Sequence, residues 1–134
     1  MNSDRINAAI EIAEKLQYFF IATADMQGVP HVTTAGQLTI KSPDILEMSF
    51  WFCPKTINNL QKNNKVSLII WDAEMNSGYQ LLGTAEDVLV SKTLGGADPE
   101  IEEGKYPPQA TLSLVVHVGM VMEFIHALHN DIPL

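Results

Sequence analysis

Between residues 18 and 123 the chain is a succession of strand-patterned runs cut by turn signals, and only one connection carries a helical pattern. That order constrains the fold most. Strands joined by short turns pair antiparallel, and their free edges must then be closed or covered. Residues 18–24 read as a buried strand, Asp25-Met26-Gln27-Gly28 as a turn with glycine where positive φ is needed, and residues 29–40 as the returning partner. Ser42-Pro43-Asp44 makes the next turn. The third strand, 45–52, sets Met48, Phe50 and Phe52 on one face and Ser49 and Trp51 on the other. A short helix over 55–63 leads to an apolar central strand at 66–71, a loop at 72–78 and a long strand at 79–90, in which Gly83 is a candidate bulge.

Residues 91–110 lose the pattern and read as a surface excursion, either a solvated loop or a cover for a ligand. In the last strand, 111–123, Leu112, Leu114, Val116, Val118, Met120 and Met122 are expected on one face. Val115 and Val121 lie beside His117 on the other, and two apolar faces predict that a second subunit covers part of this strand. A short tail carries Phe124, Ile125 and Leu128. Ahead of the strands, Ser3 can cap a helix over 4–17 whose Ile6, Ala9, Ile10, Ala13 and Leu16 fall at helical spacing, a lid for one end of a barrel. The expectation is a mainly β domain: a small antiparallel barrel of about six strands with an N-terminal helix and one short inserted helix.

At 134 residues the chain has length for one core. Its formal charge of −8, with cations scattered, makes nucleic acid a poor partner. One cysteine, Cys53, excludes an intrachain disulfide, and the start Met-Asn-Ser-Asp-Arg lacks a secretory pattern, so a reducing cytoplasm fits best. The apolar stretch 112–128 is interrupted by His117, Glu123 and His126 and is not read as membrane-spanning.

The chemistry gathers at Phe50-Trp51-Phe52-Cys53-Pro54-Lys55-Thr56-Ile57, where an aromatic strand runs into a helix. Pro54 suits a helix entrance, so free N–H groups of the first turn would stand beside the Lys55 ammonium and the Thr56 hydroxyl, a set of donors for phosphate. A plain strand-to-helix connection with a solvated lysine reads the same residues equally well. Thr33, Thr34, Ala35, Gly36 and Gln37 are small or polar and leave room for a ligand, although a half-exposed strand also explains them. There is no GxGxxG or P-loop pattern. His126 and His129 read as a surface pair rather than metal ligands. His31 and His117 are either ligand contacts or ordinary hydrogen-bonded residues, and Cys53 lacks a partner base.

Four segments then carry a resemblance: Ile21-Ala22-Thr23-Ala24 with Gly28-Val29-Pro30-His31-Val32, Pro54-Lys55-Thr56-Ile57-Asn58-Asn59-Leu60, Val66-Ser67-Leu68-Ile69-Ile70, and Gly78-Tyr79-Gln80-Leu81-Leu82-Gly83-Thr84-Ala85-Glu86. In order and spacing they resemble the FMN-binding split-barrel family, which includes pyridoxamine 5'-phosphate oxidase and small bacterial FMN-binding proteins. The resemblance implies FMN, with its phosphate at Lys55 and Thr56. Thr33, Thr34 and Ala35 would contact ribityl and ring atoms. Ser49, Phe50, Trp51 and Phe52 would flank the isoalloxazine, with Trp51 packed near the ring. It also implies a homodimer with flavin at the interface and a flavin-dependent oxidoreductase or, alternatively, a non-catalytic electron carrier; a barrel holding another ligand, such as haem through His31 or His117, is the third reading. Lys55 is the one cation at the expected phosphate contacts. With Arg5 as the single arginine and a tail ending His-Asn-Asp-Ile-Pro-Leu, the chain lacks the cations a substrate phosphate needs, so pyridoxamine 5'-phosphate oxidation itself is not expected.

Overall fold

The computed structural model describes residues 2–51, 54–91, 111–127 and 133. The elements run α1 (Asn2–Leu16), β1 (Phe19–Ala24), β2 (Pro30–Ser42), β3 (Ile45–Trp51), α2 (Pro54–Lys62), β4 (Lys65–Asp72), β5 (Ser77–Ser91) and β6 (Thr111–Glu123). All six strands pair antiparallel and close in the order β1-β2-β3-β6-β5-β4. The chain is therefore the mainly β closed split barrel that its strand pattern predicts. The excursion expected over 91–110 begins later, since Ser91 ends β5; the rest of it, 92–110, lies outside the described residues with Phe52, Cys53, Leu128 and His129 and the side chains of Phe50 and Trp51.

Alternation fills the barrel. Phe19 and Ile21 from β1, Leu46 and Met48 from β3, Leu68 and Ile70 from β4, Leu81 from β5, and Leu114 and Val116 from β6 all point inward and are buried. α1 packs against β2, β4, β5 and β6, pressing Ile6, Ala9, Ile10 and Ala13 into the same core, so it closes one end as the expected lid. Its start differs from expectation: the helix begins at Asn2, which puts Ser3 inside the first turn and not at the cap. Lys15 ties the lid down through a 2.6 Å bond to Asp72 at the end of β4. α2 contacts β1, β2 and β5, and the carbonyl of Asn64 just beyond it accepts the Ala85 N–H at 2.7 Å, which holds the helix end to β5.

β6 corrects the sequence reading. Leu82 pairs with Met120 and Gly83 with Val118, so Gly119 is an extra residue in β6. This bulge resets the alternation: Val118 and Val121 face the core, whereas Met120 is exposed and Met122 half-buried. The expected inward Met120 and Met122 are thus outside, and Val121 is inside. Gly83 faces the bulge rather than forming it. A Cβ there would collide with the His117 carbonyl oxygen and lie 2.8 Å from Val116 Cγ1. A second shift, between Ala85 and Asp87, leaves Glu86 unpaired on β5.

Candidate functional site at the opening of α2

Pro54 is the first residue of α2, as its fixed φ and missing N–H favour. Which face of the helix is buried follows from Thr56, Asn59 and Leu60, all inside. Asn59 Nδ2 donates to Thr23 Oγ1 of β1 at 3.0 Å within the barrel end. Lys55, Asn58 and Lys62 consequently face outward. Lys55 is where the phosphate reading needs it, exposed in the first turn. The Thr56 side chain is fully buried, and its Oγ1 has no hydrogen-bond partner among the described residues. Neighbouring helical positions lie about 100° apart, so Lys55 faces outward where Thr56 and Asn59 are seated against the barrel.

Facing Lys55 is the turn between β1 and β2. Gly28 adopts φ +85°, as its place in the turn requires, and Asp25 Oδ1 accepts the N–H groups of Gln27 and Val29, both at 2.9 Å. The Val29 N–H foremost, then the Gln27 N–H and the Lys55 charge, hold the Asp25 carboxyl below its ordinary value against an opposing effect of burial. Between turn and helix lies a cleft of about 260 Å³, lined by residues 25–27 and by Lys55, Asn58, Asn59 and Lys62.

The remaining expected contacts divide by strand face. Thr33 pairs with Ile21 and is half-buried, Thr34 pairs with Phe20 and is exposed, and Ala35 is buried. Adjacent threonines of one strand cannot reach the same atoms. Ser49 is half-buried and pairs with Gly36 on one side and Ser113 on the other, so the 33–36 segment and Ser49 sit on neighbouring strands. Phe50 and Trp51 continue β3 by pairing with Leu112 and Thr111. His117 is engaged: its Nε2 lies 2.7 Å from Asp44 Oδ2, and Glu86 Oε1 lies 3.8 Å from Nδ1. His31 is half-buried opposite Thr23. No cluster of three metal-ligating side chains occurs among the described residues.

The model of the family described as pyridoxamine 5'-phosphate oxidase matches residues 5–97, more than half of the chain. The chain belongs to the pyridoxamine 5'-phosphate oxidase family of FMN-binding split barrels. Solved structures share this family's fold at low identity. A protein from Clostridium acetobutylicum related to general stress protein 26 of B. subtilis superposes with a TM-score of 0.66 at 18% identity, covering 100% of this chain and 96% of that one. HupZ of Group A Streptococcus gives 0.62 at 20% identity over 90% of this chain and 97% of that one. A pyridoxamine 5'-phosphate oxidase-related, FMN binding protein of Nostoc punctiforme gives 0.62 at 12% identity over 90% and 82%. No curated protein matches the sequence.

Proposed function

We propose that this member of the family binds FMN at the opening of α2 and works as a flavin-dependent oxidoreductase in a homodimer. The observation that carries the reading is the exposed Lys55 in the first turn of a helix opened by Pro54, in a chain of this family. The donor set fits a phosphorylated flavin. Lys55 and the free first-turn amides suit a phosphate, the hydroxyls of Thr34 and Ser49, on the strand face opposite Thr33, suit ribityl oxygens, and the β3 backbone through Ser49, Phe50 and Trp51 suits the flank of a ring. Thr56 leaves the set because of its burial. When bound, the flavin supplies hydride or single-electron transfer; the chain binds and orients it. Among the described residues the one carboxylate at this opening, Asp25, is engaged by its own turn, and with Arg5 as the one arginine, oxidation of pyridoxamine 5'-phosphate itself is not part of the reading.

The dimer reading rests on the barrel's outer face. Val32, Ala22, Ser67, Leu82 and Met120 form one row across β2, β1, β4, β5 and β6. Its ends are 55% exposed at Val32 and 42% at Met120. The neighbouring row adds Phe20, Ile69 and Met122. These apolar side chains surround one polar pair, Gln80 and Ser67, joined by a 2.8 Å hydrogen bond, and a face of this mixed kind suits a second copy. No helix among the described residues is long and apolar enough to cross a membrane, and a cytoplasmic site agrees with the lone cysteine.

Flavin titration followed by absorbance or fluorescence tests the site. Lys55→Ala is expected to weaken FMN by roughly 1.5–3 kcal/mol, the worth of a charge-assisted contact; an unchanged affinity removes Lys55. Turnover with NADH or NADPH separates a reductase from an electron carrier. Haem ligation at His117 would fall to Nδ1, because Nε2 lies 2.7 Å from Asp44 Oδ2, and Glu86 Oε1 stands 3.8 Å from Nδ1.

A further inference from the structure

We infer that the cleft between α2 and the β1–β2 turn is a subsite for a second anionic group, a phosphate joined to or bound beside the flavin phosphate. The inference deepens the proposed function and rests on the flavin phosphate lying at Lys55. Lys55 and Lys62 are seven positions apart on α2, both exposed and both lining this one cleft, with Asn58 between them. Seven residues of helix advance about 10 Å, so the two lysine stems leave α2 from points two turns apart. A phosphate held in the first turn at Lys55 leaves Lys62 for a second anionic group.

What sets this pair apart is that both lysines line one cleft. The protein is acidic overall; Lys15 lies 2.6 Å from Asp72 and Lys41 3.5 Å from Glu47, and Lys65, without an ion pair among the described residues, does not line the cleft. Lys62 makes no ion pair within 4 Å among the described residues. The acid in the cleft, Asp25, is committed to its turn, where Oδ1 accepts two backbone N–H groups, leaving the cleft cationic by one charge. Asn58 adds an amide donor, and the exposed Met26 thioether gives the rim a soft apolar surface. The ligand class is a diphosphate or an equivalent pair of anions. It reaches the cleft either as part of a dinucleotide flavin or as a separate diphosphate next to FMN.

The test compares riboflavin, FMN and FAD by fluorescence titration of the full chain, and ADP by calorimetry on FMN-saturated protein. If the second phosphate belongs to the flavin, FAD binds about ten-fold or more tightly than FMN. If it belongs to a separate ligand, ADP binds the FMN-loaded protein. In either case Lys62→Ala abolishes the extra binding while FMN alone is held as before, and Lys62→Arg retains it. Asp25→Asn, which keeps the Oδ1 acceptor and removes the charge, strengthens it. FMN binding with no FAD advantage and no ADP binding overturns the inference and leaves the flavin reading intact. A Lys62→Ala variant that melts earlier yet binds every ligand normally also overturns it, because Lys62 then only complements the helix C-terminus. ADP binding that depends on Lys62 in a protein that takes no flavin would instead sink the flavin reading.

Discussion

Thr56 and Asn59 show how one helix turn sorts its residues. Asn59 reaches Thr23 through a buried 3.0 Å bond, so Asn59→Ala would strand the Thr23 hydroxyl and is expected to cost about 1–3 kcal/mol in denaturant unfolding. Thr56 is the opposite case, a buried hydroxyl without a partner among the described residues. Thr56→Val exchanges that hydroxyl for a methyl group and is expected to be neutral or stabilising by up to about 1 kcal/mol, with FMN affinity unchanged. A large loss of flavin binding in that variant would return Thr56 to the phosphate contacts. The sequence made Lys55 and Thr56 equal candidates because both follow Pro54. Only the surfaces that α2 packs on decide which of the two is turned inward.

At the scale of elements, the strands were legible because alternation and turn residues agree. Gly28 marks the first hairpin, and Phe19, Ile21 and Thr23 alternate inward through β1. The faces of β6 were legible only as far as Val118. Gly119 shifts the phase by one residue, and a bulge leaves no mark in the apolar pattern when both faces are apolar. Gly83 answers that bulge, and Gly83→Ala is expected to destabilise by about 1–3 kcal/mol because the new methyl meets the His117 carbonyl. Lid and barrel are joined by Lys15 and Asp72. The hydrogen bond to Lys15 is the main cause holding the Asp72 carboxyl below its ordinary value, and the same bond raises Lys15. A depressed carboxyl stabilises the fold above its unfolded value of about 3.9 and stops doing so as pH falls through the folded one. A raised lysine stabilises below its unfolded value of about 10.4 and stops as pH climbs past it. Asp72→Asn retains an acceptor for the Glu74 and Met75 N–H groups while removing the charge. Its Tm deficit is expected to be constant across neutral pH and to shrink below about pH 4; a deficit that persists in acid would deny the ion pair its role.

For the molecule as a whole, closure of six strands leaves no free edge, and the outer face that carries the exposed Val32 and Met120 is then the surface that asks for a partner. The sequence pointed to a second subunit from Val115 and Val121, yet Val121 is core, and that face is assembled from five strands that only register brings into line. Val32→Glu with Met120→Glu is expected to convert a dimer to monomer in sedimentation, and to weaken flavin binding if the site spans two copies. An FMN-soaked crystal puts the central claim to its most direct test. The account predicts the phosphate against the first turn of α2 within hydrogen-bond distance of Lys55 Nζ, and the ring beside β3 between two barrels. Flavin density elsewhere, or none at that opening under saturating FMN, would contradict it.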